Sequence, residues 1–395
     1  MYDNITAAMI VKNEATCLER CLESVVDIMP IVIADTGSTD DTMEIARVYT
    51  AEVYEHPWQD SFSEARNWIK GKVKTKWALQ IDADEEVPAI SIPELDKLDD
   101  QHSAYMTPIH NVIGGTISVH QFERIYQPAK CHYEWRVHNQ LVIDEGKAAL
   151  SRFSFLHYGY DASPEELKTK YANTLRMLLM DIDDAGYIMR NVRFLIQTYR
   201  SLERHVDVLA VLGEHLNKLN AHPGIYQEAA AGAIVAYNAL GDNVKAKAAG
   251  VKLLKEYPES LDALFYLGVA YMQDEAWQLS LDCFARYIKV RASLQLEGTD
   301  HTVVYHTWGS RAEVFQNMGI CTSFLGNKIQ ASLFFMRAEM LAKHKPDIAG
   351  YAANTDNALC LLLGDSQPAQ AKIVQLTEPD SWDKPKKQLL TMEAD

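Results

Sequence analysis

Four carboxylates, Asp82, Asp84, Glu85 and Glu86, fall within five positions at the end of the apolar stretch WALQIDADEE, residues 77–86. Extended backbone carries residues two apart to the same side, so Asp82 and Asp84 present like charges together. Like charges so placed raise each other's pKa unless a cation lies between them. A hard divalent ion, Mn²⁺ or Mg²⁺, meets that need and keeps positions open for phosphate oxygens. A bare Asp-x-Asp after a strand is more often a solvated acidic loop. What separates the two readings is whether other polar groups converge on the same place.

The elements around the motif bring such groups together. ITAAMIV (5–11) reads as a strand, ATCLERCLESVV (15–26) as an amphipathic helix, IVIAD (31–35) as a buried strand, and TDDTMEIARVYT (39–50) as a helix with an acidic first turn. AEVYEH (51–56), FSEARNWIKGKV (62–73) and WALQID (77–82) continue as strand, helix and strand. This alternation predicts a mostly parallel sheet covered on both faces, with ligands beyond the carboxyl ends of its strands. The strand ends VKNE (11–14), DTGSTD (35–40) and DADEE (82–86) then share one edge and one cleft. There Asn13 and Glu14 can bond a base or ribose, Asp35 stands at a strand terminus, and Gly37 permits a tight turn. Ser38 or Thr39 suits the cap of the following helix, whose N–H groups can face an anion. Arg66 and Asn67 add a cation and an amide. No G-x-G-x-x-G follows the first strand, so this is not the dinucleotide fingerprint.

Past residue 100, β-rich segments with aromatics and histidines (SAYMTPIHNVIGG, ISVHQFERIYQP, YEWRVHNQLVI, FSFLHYGY) predict a mixed or antiparallel extension of the sheet. Alternation through WRVH places Arg136 and His138 on the cleft side of a strand, with Tyr133 and Trp135 opposite in the core. From about Ser163 the chain reads as helical and repetitive. Tyr237, Ala246 and Pro258 are followed 34 residues on by Tyr271 and Ser280, with LGVAY (267–271) and Phe284 at packing positions. A segment at 318–346 keeps the spacing with Gly319, Gly326, Ala331, Phe335 and Ala338, after an insertion at roughly 291–307. Stacked helix pairs bury their core between neighbours and offer a concave surface, which stabilises or docks a peptide or protein. Exposed faces of such a stack leave room for a homodimer.

Composition narrows the classes. The chain has 395 residues and a net charge of -16, with 14 Lys+Arg against 25 Asp+Glu in residues 1–160 and 24 against 29 in the rest. That surface disfavours nucleic acid and anionic membrane as partners. Six cysteines without a CxxC pair fit reduced thiols in a cytoplasmic protein, and Cys17 and Cys21 read as packing residues. The opening MYDNITAAMIVKNE has no basic n-region, so no signal peptide is read there. The longest apolar run, around ALFYLGVAYM, is far short of the ~20 residues of a membrane span. The alternating Lys70, Lys72, Lys74 and Lys76 read as a solvated helix end.

Taken as a set, MIVKNEATCLERCLESV, VIADTGSTDDTMEIA, FSEARNW and WALQIDADEE resemble the inverting family 2 glycosyltransferases of the GT-A fold, in order and at family-like spacing. ERIYQPAKCHYEWRVHNQ (123–140) and LHYGY (156–160) resemble downstream blocks of one bacterial and phage branch. The helical repeats resemble the tetratricopeptide family, and the combined architecture resembles the sublancin-type peptide S-glycosyltransferases. The expected fold is therefore α/β, a GT-A domain with a Rossmann-like mixed sheet over 1–162. A connecting helix over 163–190, an all-α tetratricopeptide-like solenoid over 191–378 and a tail over 379–395 complete it.

The resemblance implies a metal-dependent, inverting transfer of a hexose or N-acetylhexosamine from a UDP-sugar to a peptide or protein acceptor. It puts Val11, Asn13, Glu14 and Asp35 on the nucleoside, Gly37 and Ser38 near the ribose, and Arg66 with Asn67 near the diphosphate. Asp82, with Ala83 beside it, would contact the ribose or the metal's water shell. Asp84 would ligate Mn²⁺ or Mg²⁺, and His157 would reach the metal or diphosphate. Related sequences often read HEQ where this chain has His138-Asn139-Gln140. Asn139 takes no proton, which leaves Glu134, His138 or Glu85 as the base for an oxygen acceptor. A thiol acceptor needs less help, being partly thiolate near neutral pH. Rival readings are transfer to a lipopolysaccharide core, another glycan or a modified DNA base, and a non-catalytic scaffold with a relic first domain.

Overall fold

The computed structural model describes residues 1–113, 116–158, 163–297 and 305–343. It divides into two compact units, Met1–Asp181 and Ile182–Asp395.

The first unit opens with β1 (Ile5–Val11), α1 (Leu18–Glu23), β2 (Ile31–Asp35), α2 (Thr42–Tyr49), β3 (Val53–Glu55), α3 (Phe62–Lys70) and β4 (Trp77–Gln80). Strands β3, β2, β1 and β4 are parallel neighbours in that order. Met9 and Val11 of β1 join Leu18, Cys21, Ile33 and Leu79 in one core layer. On the other face Ala8, Val32 and Ala34 pack with Ile69 of α3. The near-continuous apolar reading of β1 and β2 follows from this two-sided burial. Ser61 caps α3 by accepting the Glu64 N–H at 3.1 Å.

Next come β5 (Glu85–Glu86), a 3₁₀ segment (Ala89–Lys97), β6 (Ala104–Ile113) and β7 (Thr116–Tyr126). β8 (Cys131–Glu134) and β9 (Gln140–Ile143) pair only with each other, and β10 (Ala148–Leu150) and β11 (Phe155–His157) return to the main sheet. Its order is β3-β2-β1-β4-β7-β6-β11-β5, with β10 beside β6. β7 runs antiparallel to β4 and β6, so the sheet is mixed as expected.

Two local expectations fail for identifiable reasons. The helix expected from residue 39 starts at Thr42 behind Asp41, because Asp40 takes the Thr42 N–H at 3.1 Å. Ser38 and Thr39 are engaged elsewhere: Asn13 N–H donates to Ser38 Oγ at 2.9 Å, and Thr39 N–H donates to Asn13 Oδ1 at 2.8 Å. The strand expected to run through WRVH ends at Glu134, and Trp135 and His138 adopt positive φ of 73° and 48°. The alternation therefore does not hold there, and Trp135 is only half-buried while Tyr133 is in the core.

α4 (Pro164–Ala185) carries the chain from one unit to the next. The second unit is built from α5 (Met189–Ser201), α6 (His205–His215), a short 3₁₀ turn (Leu216–Leu219), α7 (Pro223–Ala239), α8 (Asn243–Glu256), α9 (Leu261–Gln273), α10 (Trp277–Glu297), α11 (Arg311–Phe324) and α12 (Lys328–Lys343). Part of the expected insertion is a continuation of α10 to Glu297. The expected repeat residues beyond 343, and the tail, lie outside the described residues.

Helix contact here depends on missing side chains. A Cβ on Gly268 would lie 2.9 Å from the ring of Phe284, which is fully buried. Gly268→Ala is accordingly expected to cost about 1–3 kcal/mol by overpacking. A lowered urea midpoint would register it, and combining it with Phe284→Leu should return part of the loss.

Candidate active site

β1 lies between β2 and β4, pairing Val11 with Asp35 on one side and Ala8 with Gln80 on the other. The loops after all three strands therefore leave the same edge of the sheet. At the first, Val11 C=O accepts both the N–H and the hydroxyl of Thr36, at 2.9 and 3.1 Å. Asp35 is 3% exposed, and its Oδ2 accepts the N–H groups of Gly37 and Ser38, both at 3.0 Å. Gly37 has φ +108°, which lets the turn fold back onto that carboxylate. Asp35 Oδ1 is buried without a hydrogen-bond partner among the described residues. A desolvated carboxylate oxygen left open is a ready acceptor for an N–H donor such as a base edge. Glu14 lies beside this loop, its N–H donating to Thr42 Oγ1 at 2.7 Å and its carboxylate accepting from the Cys17 thiol at 3.3 Å.

After β4 the acidic motif separates into unlike parts. Asp82 accepts from Arg66 Nη2 at Oδ1 and from Arg124 Nη2 at Oδ2, both at 2.9 Å. Enclosure by protein pushes its pKa up, but the Arg124 and Arg66 guanidiniums outweigh this and hold the carboxyl well below the usual range. Glu85 is 2% exposed, accepts from Arg124 Nη2 at 2.8 Å and takes the Asp82 N–H at 2.9 Å. Burial and the neighbouring Asp82 raise its pKa against the pull of Arg124. Both Glu85 oxygens are engaged inside the protein, so it is not placed where a base would meet an acceptor. Ala83, between the aspartates, packs into the core.

Asp84 turns the other way. Its Oδ2 lies 3.0 Å from His157 Nε2, and His157 Nδ1 lies 2.6 Å from Asn111 Oδ1. β11 brings His157 there by pairing with β6 at Asn111 and with β5 at Glu85. The Asp84 hydrogen bond, ahead of an opposing burial effect, raises the His157 pKa. Asp84 C=O accepts the Tyr158 N–H at 3.2 Å. Among the described residues no group of three or more His, Cys, Asp or Glu side chains is arranged to hold a metal. Asp84 and His157 bring a carboxylate oxygen and an imidazole nitrogen together at this edge, and Asn111 holds the other ring nitrogen. The expected third ligand, Asp82, differs because both its oxygens meet guanidiniums.

The remaining expected residues are distributed unevenly. Arg66 reaches the site, donating from Nη1 to Asn139 Oδ1 at 3.4 Å, with its Nε buried and unpartnered among the described residues. Asn67 instead satisfies the β8 backbone, giving Nδ2–H to Tyr133 C=O and accepting Tyr133 N–H, both at 2.8 Å. Glu134 is exposed at the end of β8, its Oε1 3.2 Å from His132 Nε2, and His138 is exposed on the following loop. Arg136 bonds Asp181 through its N–H at 3.2 Å and its guanidinium at 3.3 Å. Arg124 and Asn111 were not anticipated. At Arg124 the β6–β7 register slips: Tyr105 pairs with Ile125 but Met106 with Glu123. This bulge re-aims a strand side chain towards Asp82. Arg124 falls within the ERIYQP block at 123–128, where nothing in the residue pattern marks the bulge that turns it.

Residues 6–156 match the family model described as glycosyl transferase family 2. A TPR repeat-containing protein of Synechococcus elongatus is 32% identical over 143 residues, 35% of this chain and 36% of that protein. The SPbeta prophage-derived glycosyltransferase SunS of Bacillus subtilis is 39% identical over 83 residues, 20% of each chain. This chain thus spans about a third or less of the length of the curated relatives it matches. The crystal structure of S. aureus TarS aligns at 12% identity and a TM-score of 0.36, over 62% of this chain and 54% of that one, a likeness too slight to bear on function. No described helix is long and apolar enough to cross a membrane. The match spans β1 to β4 with the loops that carry Asp35, Asp82 and Asp84, so residues 6–156 are similar to the glycosyl transferase family 2 model, and a run of packed helices follows them in this chain.

Proposed function

We propose that the chain is a metal-dependent, inverting glycosyltransferase that moves a hexose or N-acetylhexosamine from a UDP-sugar to a peptide or protein acceptor. The observation that carries the reading is the pairing of Asp84 with His157, on the same sheet edge as the open Oδ1 of buried Asp35. Asp35 receives the N–H of the uracil ring, and the loop bridged by Asn13, Ser38 and Thr39 holds the nucleoside. Arg66, anchored by Asp82, lies beside the diphosphate. Asp84 and His157 would hold Mn²⁺ or Mg²⁺, which supplies charge neutralisation at the departing diphosphate. Two protein ligands suit an ion that takes its other positions from phosphate and water.

The acceptor atom attacks the anomeric carbon from the face opposite the diphosphate, and the carbon–oxygen bond to phosphate breaks with its electron pair leaving on UDP. The configuration inverts. An oxygen acceptor loses its proton to a base on the exposed side, where Glu134 and His138 stand, whereas a thiolate needs none. The helical repeats fit a role in docking the acceptor, and a cytoplasmic setting suits the free cysteines. A panel of UDP-sugars tested for hydrolysis with and without Mn²⁺ identifies the donor before any acceptor is known. One sugar is expected to be cleaved in a Mn²⁺-stimulated manner, and no cleavage of any would overturn the reading.

A further inference from the structure

Asn139 ends the loop 135–139 that joins β8 to β9, whose facing residues Glu134 and Gln140 are paired. The loop is fixed against the start of α3. Ser63 Oγ donates to Trp135 C=O at 2.7 Å, Phe62 N–H donates to Arg136 C=O at 2.8 Å, and Asn67 holds the main chain of Tyr133 just ahead. Trp135 and His138 keep positive φ without being glycine, a strained state that persists only where the surroundings dictate it, as these contacts with α3 do. Asn139 is thereby set opposite Arg66, one turn further along the same helix, with its Oδ1 3.4 Å from Arg66 Nη1.

Three side chains meet around Asp82 with donors to spare. Arg66 and Arg124 each give an Nη2 group to one Asp82 oxygen. Arg66 Nε, Arg124 Nη1 and Asn139 Nδ2 are buried without a hydrogen-bond partner among the described residues. A desolvated donor left open is costly until an acceptor reaches it. A diphosphate offers acceptor oxygens alone, with the charge and shape that a guanidinium binds well. An attacking hydroxyl instead needs a group that takes its proton, which an amide cannot do. Neutrality at position 139 matters as well. The one carboxylate bonded to Arg66 among the described residues is Asp82, which it shares with Arg124, so Arg66 keeps charge for a phosphate. A second anion against Arg66 would oppose one.

We infer that Asn139 belongs to the sugar-nucleotide side of the site, where it orients Arg66 and gives its Nδ2–H to the diphosphate. This role presupposes the transferase reading proposed above. It separates Asn139 from Glu134 and His138, the neighbours that stand exposed on the acceptor side.

Binding of UDP and of uridine to the full chain and to its Asn139→Leu and Asn139→Asp variants is measured by calorimetric titration with Mg²⁺ held constant. Asn139→Asp is expected to weaken UDP about thirtyfold and Asn139→Leu about fivefold, while uridine, which has no phosphate, binds all three chains alike. Asn139→Leu adds no charge, so it reads the lost contact even where a thermal melt shows Asn139→Asp to be unstable. Unchanged UDP affinity in Asn139→Leu would overturn the inference, and a loss of UDP-sugar hydrolysis beside that unchanged affinity would move Asn139 to the acceptor side. Equal weakening of UDP and uridine would also overturn it, by reducing Asn139 to a prop of the loop. A wild type that binds no UDP would remove the transferase reading itself, and this role with it.

Discussion

Replacing Asp84 with alanine is expected to lower Mn²⁺-stimulated UDP-sugar hydrolysis by about a hundredfold to a thousandfold, the usual scale for removing one preorganised electrostatic contact to a transition state. The expectation rests on geometry. Asp84 meets the imidazole of His157, whereas both Asp82 oxygens accept from arginines and the Glu85 oxygens accept from Arg124 and the Asp82 N–H. Folding should survive, because Asp84 is only partly buried and its one backbone role, accepting from Tyr158, does not use the side chain. Steady-state rates with and without Mn²⁺, beside a thermal melt, check both halves. An unchanged rate would remove Asp84 from the metal assignment.

Arg124→Met is expected to act on stability first. The substitution leaves Asp82 with Arg66 but strips buried Glu85 of its one cation, and losing one partner of a buried pair costs about 3–5 kcal/mol. For a unit of this size that lowers the melting temperature by roughly 10 °C. Glu85→Gln in the same chain should recover much of the loss, since a neutral side chain no longer needs the guanidinium. Calorimetry of wild type, single and double variants measures it. A single variant as stable as wild type would mean that Glu85 finds another way to be neutral or solvated.

The parts of the fold that were legible are those where one physical pattern dominates. β1 and β2 read as buried strands because helices cover both of their faces, and that placed Asp35 and Asp84 on one edge. The parts that were missed are those where a distant partner decides. Arg124 enters the site through a bulge, which breaks the two-residue alternation from which side-chain direction is read. Asn67 has the residue type of a ligand contact, yet its carboxamide is matched to the main chain of Tyr133, far away in sequence. Trp135 and His138 leave the strand at positive φ without a glycine to announce it. Asp40, Thr42 and Asn13 together set where α2 begins, a contest between side chains that propensity alone does not rank.

The most direct test of the central claim is calorimetric titration of UDP into the full chain with and without Mn²⁺, repeated for Asp84→Ala. Binding of UDP by the wild type, strengthened by Mn²⁺, with that strengthening lost in Asp84→Ala, is the predicted result. No UDP binding in either condition would contradict the reading of this domain as a working sugar-nucleotide transferase.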